Sequence, residues 1–422
     1  MNRTRLTLCS LNYIAIFVVF SSGLVFRNIL PIDLRISYFI ILLLLFLFGI
    51  AFKNLYFNKG FLFAFTIVVM SSFYNVYLEK NTVTLLMKQI IGIGLTSLMF
   101  YLLIKINKYN INKLFRIYLN FAVLVGLIGL FQELSYLIGF EKGYNFWYIS
   151  PTWSFHLSKI GLLRINSITP EPADFCYVMM PAFFVALTSF SKSNFKFLNK
   201  WKSVIIIFSV FFSFSLVGYI GILLSIALLF YNYGKIRHLI FGTTFILIIS
   251  FFAYKNITEL RIRVDDSVNV IAGKMELHSA NLSTFALFSN ALVAYESFKD
   301  NPVFGSGLGS HEISYNRCIG KVINNDEIIA FIKFQDANSL FLRLLSETGL
   351  FGILCFFWFI FKFHILKKND RSGYLWIINN AILATFLIRL LRCGHYFVGG
   401  FFFFFWLYYF TARSKYPIPL KD

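Results

Sequence analysis

The sequence predicts an all-α, polytopic integral membrane protein with about twelve transmembrane helices. Three observations carry this reading. The 422 residues are 58% hydrophobic and only 14% charged, whereas soluble domains are about half apolar and about a quarter charged. Apolar runs of about 18 residues recur along the chain, the length needed to cross about 30 Å of hydrocarbon at about 1.5 Å per residue. These runs are apolar on all sides, without the alternation that a transmembrane β-barrel requires.

The runs cover approximately residues 9–26, 37–52, 60–78, 84–104, 117–139, 172–190, 203–215, 217–233, 239–254, 349–366, 373–391 and 395–411. The first follows Arg3 and Arg5 and lacks a small-residue cleavage site, so it is expected to be a retained span. Trp201 to Tyr233 forms one apolar stretch, too long for a single crossing without strong tilt. Ser213, Ser215 and Gly218 mark a tight turn that divides it.

Charge supports the division. With the N-terminus inside, the inner segments hold 21 of the 39 basic residues, among them Lys59, Lys105, Arg116, Lys200, Lys235, Lys362, Lys367 and Arg413. The short outer turns hold Arg27, Arg35 and Lys80, with Arg389 and Arg392 near the last. This is the positive-inside asymmetry, and merging the seventh and eighth runs would invert every later segment. Both termini are therefore expected in the cytoplasm. The Phe401 to Phe405 run is expected to face lipid.

Residues 1–422 read as a single polytopic membrane domain with two large outward segments, 141–170 and 255–347. Within the second, Phe285, Phe288, Leu292 and Tyr295 recur at helical spacing, predicting an amphipathic helix stopped by Pro302. A second short helix is expected to start near Asp336 or Asn338, either of which can cap it, and to run to Gly349.

The net charge of +20 follows from basic residues retained on the inner side, so no nucleic-acid partner is expected. Five cysteines at 9, 176, 318, 355 and 393 form no CxxC pair, and no metal or other cofactor is expected. Gly305-Ser306-Gly307-Leu308-Gly309 lacks the Lys-Ser/Thr of a P-loop. It reads either as backbone that approaches a phosphate or sugar closely or as a tight turn after the amphipathic helix.

The outward segments collect cations, including Arg164, Arg261, Arg263 and Arg343. Guanidinium forks bind phosphate bidentately and stay charged, so these are candidate substrate-binding groups. Arg164 ranks first, because RINSITPEPADF sets it just ahead of a proline-restricted helix start. Arg343 and Glu347, spaced i, i+4, either pair with each other or hold a ligand. Glu171 and Asp174 open the sixth run, as partners of the helix dipole or as a general base. His311 and Asp336 are the remaining acid–base candidates, with an incidental histidine and a helix cap as the alternatives. Gln132 and Glu133 lie near a span end, where they line a cavity or snorkel to the surface.

Taken in order, the pattern resembles the bacterial O-antigen polymerase and ligase superfamily, including the Wzy-type polymerases. The resemblance runs over most of the chain. It rests on the many spans with a large late outer loop and on Arg164, Ser167, Glu171 and Pro172. It also rests on the hairpin near Ser215, the NPVFGSGLG segment, Asn338-Ser339-Leu340, and Glu347 through Gly352. It implies a glycosyltransferase of the inner membrane that uses undecaprenyl-diphosphate-linked oligosaccharide as donor and acceptor at the periplasmic face. It implies no nucleotide sugar and no metal, arginines such as Arg164, Arg261, Arg263 and Arg343 on the diphosphate, and Asn338 at the substrate. A chain-length regulator protein is an expected partner. Ligases and many relatives carry His-Asn where this chain has Ala337-Asn338. That departure favours a polymerase over a ligase and leaves Asp336, His311 or Glu171 as the catalytic base. A lipid-linked oligosaccharide flippase is the alternative of a different class, disfavoured by the absence of an internal repeat and by the size of the late loop.

Overall fold

The computed structural model describes residues 2–26, 34–51, 57–158, 160–191, 195–234, 240, 242, 244, 248, 251–252, 254–256, 258–321 and 335–414. The chain is a helical bundle. Its helices are α1 (Asn2–Phe17), α2 (Ile36–Ala51), α3 (Lys59–Tyr77), α4 (Val83–Ile106), α5 (Ile111–Leu137), the single turn α6 (Glu141–Tyr144), α7 (Pro172–Ser189), α8 (Lys200–Phe211) and α9 (Leu216–Tyr233). They continue as α10 (Thr258–Ile271), α11 (Leu282–Asp300), α12 (His311–Cys318), α13 (Leu340–Lys362), α14 (Leu375–Arg392) and α15 (Phe401–Ser414). A two-residue antiparallel ladder pairs Val25–Phe26 (β1) with Leu34–Arg35 (β2).

Helix starts follow local chemistry. The side chains of Asn58, Thr82, Asn110, Asn199, Asn281 and Ser339 each accept a backbone N–H from the first turn that follows. Each such cap contributes about 1 kcal/mol. The long apolar stretch breaks as expected between Phe211 and Leu216.

Among the described residues, seven helices, α3, α4, α5, α7, α9, α13 and α14, are long and apolar enough to cross a membrane. This is fewer than the twelve expected spans. The helices α2, α8 and α15 have 16, 12 and 14 residues, about 24, 18 and 21 Å at about 1.5 Å per residue. The expected span 239–254 falls mostly outside the described residues.

The centre of the bundle is α7 packed on α14, each with 83% of its apolar window buried, while α3 has 11%. Pro181 lies inside α7, where a proline removes a ladder hydrogen bond and kinks the helix. Tyr118 of α5 fills that site: its hydroxyl donates to Val178 O at 2.7 Å and accepts Ala182 N–H at 3.2 Å. The Phe401–Phe404 run of α15 is buried, not turned to lipid. Its rings pack on Phe100, Tyr118 and Phe386. Composition alone could not tell a lipid-facing helix from a central one, because both are apolar.

The glycine-rich segment after α11 is a tight turn. Its amides are spent on the chain: Ser306 N–H on Ser346 O, Gly307 N–H on Glu347 O and Leu308 N–H on Ser72 Oγ, each at 2.9 Å. Gly305 has φ +67°, and a Cβ there would lie 2.4 Å from the Glu347 carbonyl carbon. Only glycine lets this turn seat against α13. The expected short helix and the tenth span meet at Gly349, whose non-helical angles (φ +58°, ψ −153°) divide α13 there into two pieces. Ser339, not Asp336 or Asn338, is its cap.

Candidate functional site

Ionisable side chains converge where the starts of α2, α7 and α13 meet the end of α14. The loop 393–400 between α14 and α15 completes the cluster. Gly394 permits the approach: a Cβ on it would lie 1.6 Å from Asp336 O. His395 therefore reaches Asp336, with its Nε2 3.4 Å from Asp336 Oδ2. The other Asp336 oxygen accepts Asn338 N–H at 3.2 Å. That bond closes a turn in which both Ala337 and Asn338 have positive φ, a conformation that costs a non-glycine residue energy and clusters at functional sites.

Beneath this pair lies Arg343 of α13, buried with Glu347. Arg343 Nε donates to Glu347 Oε1 at 3.0 Å and Nη1 to Gly394 O at 3.0 Å. Its guanidinium lies 4.2 Å from the Tyr396 ring centroid, and Tyr396 donates its hydroxyl to Glu347 Oε2 at 2.9 Å. Arg389 of α14 is spent on the same loop, donating to the carbonyls of His395, Val398 and Gly399. Arg392 donates to Ser283 O at 3.2 Å and so joins the end of α14 to the start of α11. Tyr177 of α7 donates its hydroxyl to Arg392 O.

Electrostatics separate the roles. Burial alone would raise the Asp336 carboxyl, but His395, Arg343, the Asn338 amide and His311 outweigh it and hold the group below the ordinary carboxylate range. Asp336 is thus an anion at neutral pH. The His395 imidazole is pushed down by burial and by Arg343, Arg35 and Arg389, against the pull of Asp336. It is neutral at pH 7. A His395 proton on Nε2 would face the ionised Asp336 and leave the Nδ1 lone pair as a proton acceptor. The His395 side chain is 38% exposed and that of Asp336 14%, so the imidazole is the more accessible of the two groups.

His311 is the opposite case. It is fully buried, with Nδ1 2.8 Å from Ser346 Oγ and Nε2 2.8 Å from Asn290 Oδ1. Burial and Arg343 lower its pKa from 6.5 to about 3. Both nitrogens are engaged, and the ring ties α11 to α13. In the unfolded chain His311 protonates near pH 6.5; in the folded chain it does not until about pH 3. Its contribution is therefore fully present above pH 6.5 and is lost progressively as pH falls toward 3, by up to about 1.4 kcal/mol per unit. The melting temperature in detergent is expected to fall between about pH 7 and about pH 5. The fall should be smaller in His311→Asn, measured by tryptophan fluorescence, with unequal slopes as the deciding result.

Of the sequence-predicted residues, Asp336, His311, Asn338 and Arg343 come together here. Glu171 precedes α7 at its N-cap position, with no side-chain capping bond. Asp174, one turn on, acts electrostatically on Cys393 and Tyr177. Arg164 lies on a segment whose backbone pairs with His156 O, and its charge reaches Cys176 of α7. That segment is fixed by Gln132, whose Oε1 accepts Ser167 N–H at 2.8 Å. Arg261 and Arg263 stand on α10, which is tied to α11 through Asp266 and the Asn281 amide at 2.8 Å.

His395, Arg35, Arg389, Tyr396 and Tyr177 were not singled out by the sequence. His395 was hidden because the aromatic run that ends at Phe410 reads as one span from residue 395. The available signal was Arg389-x-x-Arg392-Cys-Gly-His, in which two arginines and a glycine precede the histidine at an outer turn.

Residues 202–357, from α8 through most of α13, match the family model described as O-antigen ligase. That match is consistent with the O-antigen polymerase and ligase superfamily. The matched segment supplies His311, Asp336, Asn338, Arg343 and Glu347, whereas His395, Arg389 and Arg392 follow it in the chain. No curated protein matches the sequence significantly.

Proposed function

We propose that this multi-pass membrane protein is an O-antigen polymerase. It would join undecaprenyl-diphosphate-linked oligosaccharide repeat units into polysaccharide at the periplasmic face of the inner membrane. The observation that carries the proposal is the partly exposed His395, paired with Asp336 and in the field of the guanidinium groups of Arg35, Arg343 and Arg389, with Arg392 at the end of α14. One group accepts a proton, and the partly exposed Arg35 and Arg392 neutralise a leaving diphosphate; these are the two demands of glycosyl transfer from a polyprenyl-diphosphate donor.

In the proposed step the acceptor hydroxyl oxygen attacks the anomeric carbon of the donor. The bond from that carbon to the diphosphate oxygen breaks, and the electron pair leaves with the diphosphate. The hydroxyl proton passes to His395 Nδ1, while Asp336 holds the ring. Arg35 and Arg392, both partly exposed, retain N–H donors for the diphosphate. Arg343 and Arg389 act mainly by shaping the loop that carries His395. Arg164, Arg261 and Arg263 remain candidates for the carrier or the glycan, and Glu171 for a sugar hydroxyl. Ala337-Asn338 in place of His-Asn supports the polymerase. The description of the family model favours a second reading, the O-antigen ligase.

The test is the lipopolysaccharide ladder of cells that lack the gene. Core bearing one repeat unit and no higher rungs is the expected result. Bare core with polymer held on its carrier lipid would assign the ligase instead. Bare core with single units trapped on the cytoplasmic side would assign a flippase.

A further inference from the structure

An apolar cavity runs from Tyr396, at the floor of the candidate site, toward the opposite end of the bundle. It has a volume of about 1110 Å³ and opens between α3, α13 and α15. It extends from Leu344 and Tyr396 to Lys59, Lys362 and Arg413, and its walls are mainly aromatic, with Phe61, Phe359 and Phe405 among them. Three separate helices each bring one cation to the same rim: Lys59 opens α3, Lys362 ends α13, and Arg413 lies in the last turn of α15. No Asp or Glu among the described residues lines the cavity. Lys362 Nζ instead lies 4.4 Å from the Trp358 ring centroid, and Arg413 Cζ lies 5.2 Å from that of Tyr409. Both rings line the cavity.

We propose that this cavity binds an anionic phospholipid of the cytoplasmic leaflet. Its phosphate would sit among Lys59, Lys362 and Arg413, and its acyl chains would lie along the aromatic wall. Positive-inside retention accounts for basic residues on this face. It does not account for three of them converging, without acids, on the mouth of one apolar cavity. Basic pockets between transmembrane helices on the cytoplasmic side suit anionic headgroups, and aromatic rings at the interface anchor the glycerol region. A zwitterionic lipid would leave the three cations uncompensated. The site does not depend on the reaction performed at His395.

The full-length protein in detergent, titrated with phosphatidylglycerol or with phosphatidylcholine of the same acyl chains and read by native mass spectrometry, tests this. One phosphatidylglycerol is expected to bind at least about 10-fold more tightly than phosphatidylcholine. In Lys59→Gln/Lys362→Gln/Arg413→Gln the preference should vanish, while Lys59→Arg/Lys362→Arg, which keeps every charge, should retain it. Equal binding of the two lipids by the wild-type chain would overturn the proposal without any variant. So would an unchanged preference in the triple-glutamine chain. Displacement of phosphatidylglycerol by undecaprenyl phosphate would also overturn it, and would assign the cavity to the donor's tail.

Discussion

Arg343→Gln is expected to cost both fold and activity. The guanidinium is buried between Glu347, the Gly394 carbonyl and the Tyr396 ring. Its loss leaves the Glu347 carboxylate buried with only the Tyr396 hydroxyl. Removing one partner of a buried pair costs about 3–5 kcal/mol, a large share of the roughly 5–15 kcal/mol that holds a typical domain. A lower melting temperature in detergent, or loss of recoverable protein, is the expected readout. Arg343→Met/Glu347→Leu removes both charges, and such replacements of buried pairs by apolar residues are often neutral. The double variant is expected to recover the fold but not long glycan, because Gly394 loses its donor and His395 is no longer held over Asp336. Full-length ladders from that variant would remove Arg343 from the proposed machinery.

His395→Gln is expected to leave the melting temperature unchanged and to reduce chain extension by about 10²–10⁴-fold, the usual contribution of a positioned base. Glutamine can still donate to Asp336 but cannot take up a proton at neutral pH. Asp336→Asn separates positioning from folding. Asn keeps an oxygen for the Asn338 amide, so the turn survives, but the anion facing His395 Nε2 is gone. Asp336 raises the His395 pKa, so its removal lowers that pKa further. The acid limb of the rate profile should therefore move to lower pH as the maximum rate falls. His311→Asn should leave that limb in place. Normal ladders from His395→Gln, or an acid limb that does not move in Asp336→Asn, would shift the base to another group.

These two predictions rest on residues of unequal legibility. Arg343 and Glu347 were visible as an i, i+4 pair, and α13 delivers them on one face. Asp336 was visible as a polar residue before an apolar run, yet the cap it was expected to supply comes from Ser339. The reason is the backbone: positive φ at Ala337 and Asn338 turns Asp336 away from the helix start and toward His395. In sequence His311 was an acid–base candidate, with an incidental histidine as the alternative. Burial between Ser346 and Asn290 makes it a link between helices, and no local pattern announces burial of a polar residue.

The sequence by itself determined the helical membrane class, the break near Ser215 and the supply of arginines around the late loop. These follow from composition and period, both properties of short stretches. Only the tertiary structure decided which cations are spent on carbonyls and which helices lie at the centre. It also decided that a histidine after Gly394 meets an aspartate before α13. That meeting depends on a missing Cβ at Gly394 and on guanidinium bonds from two helices, which exist only once the helices have packed.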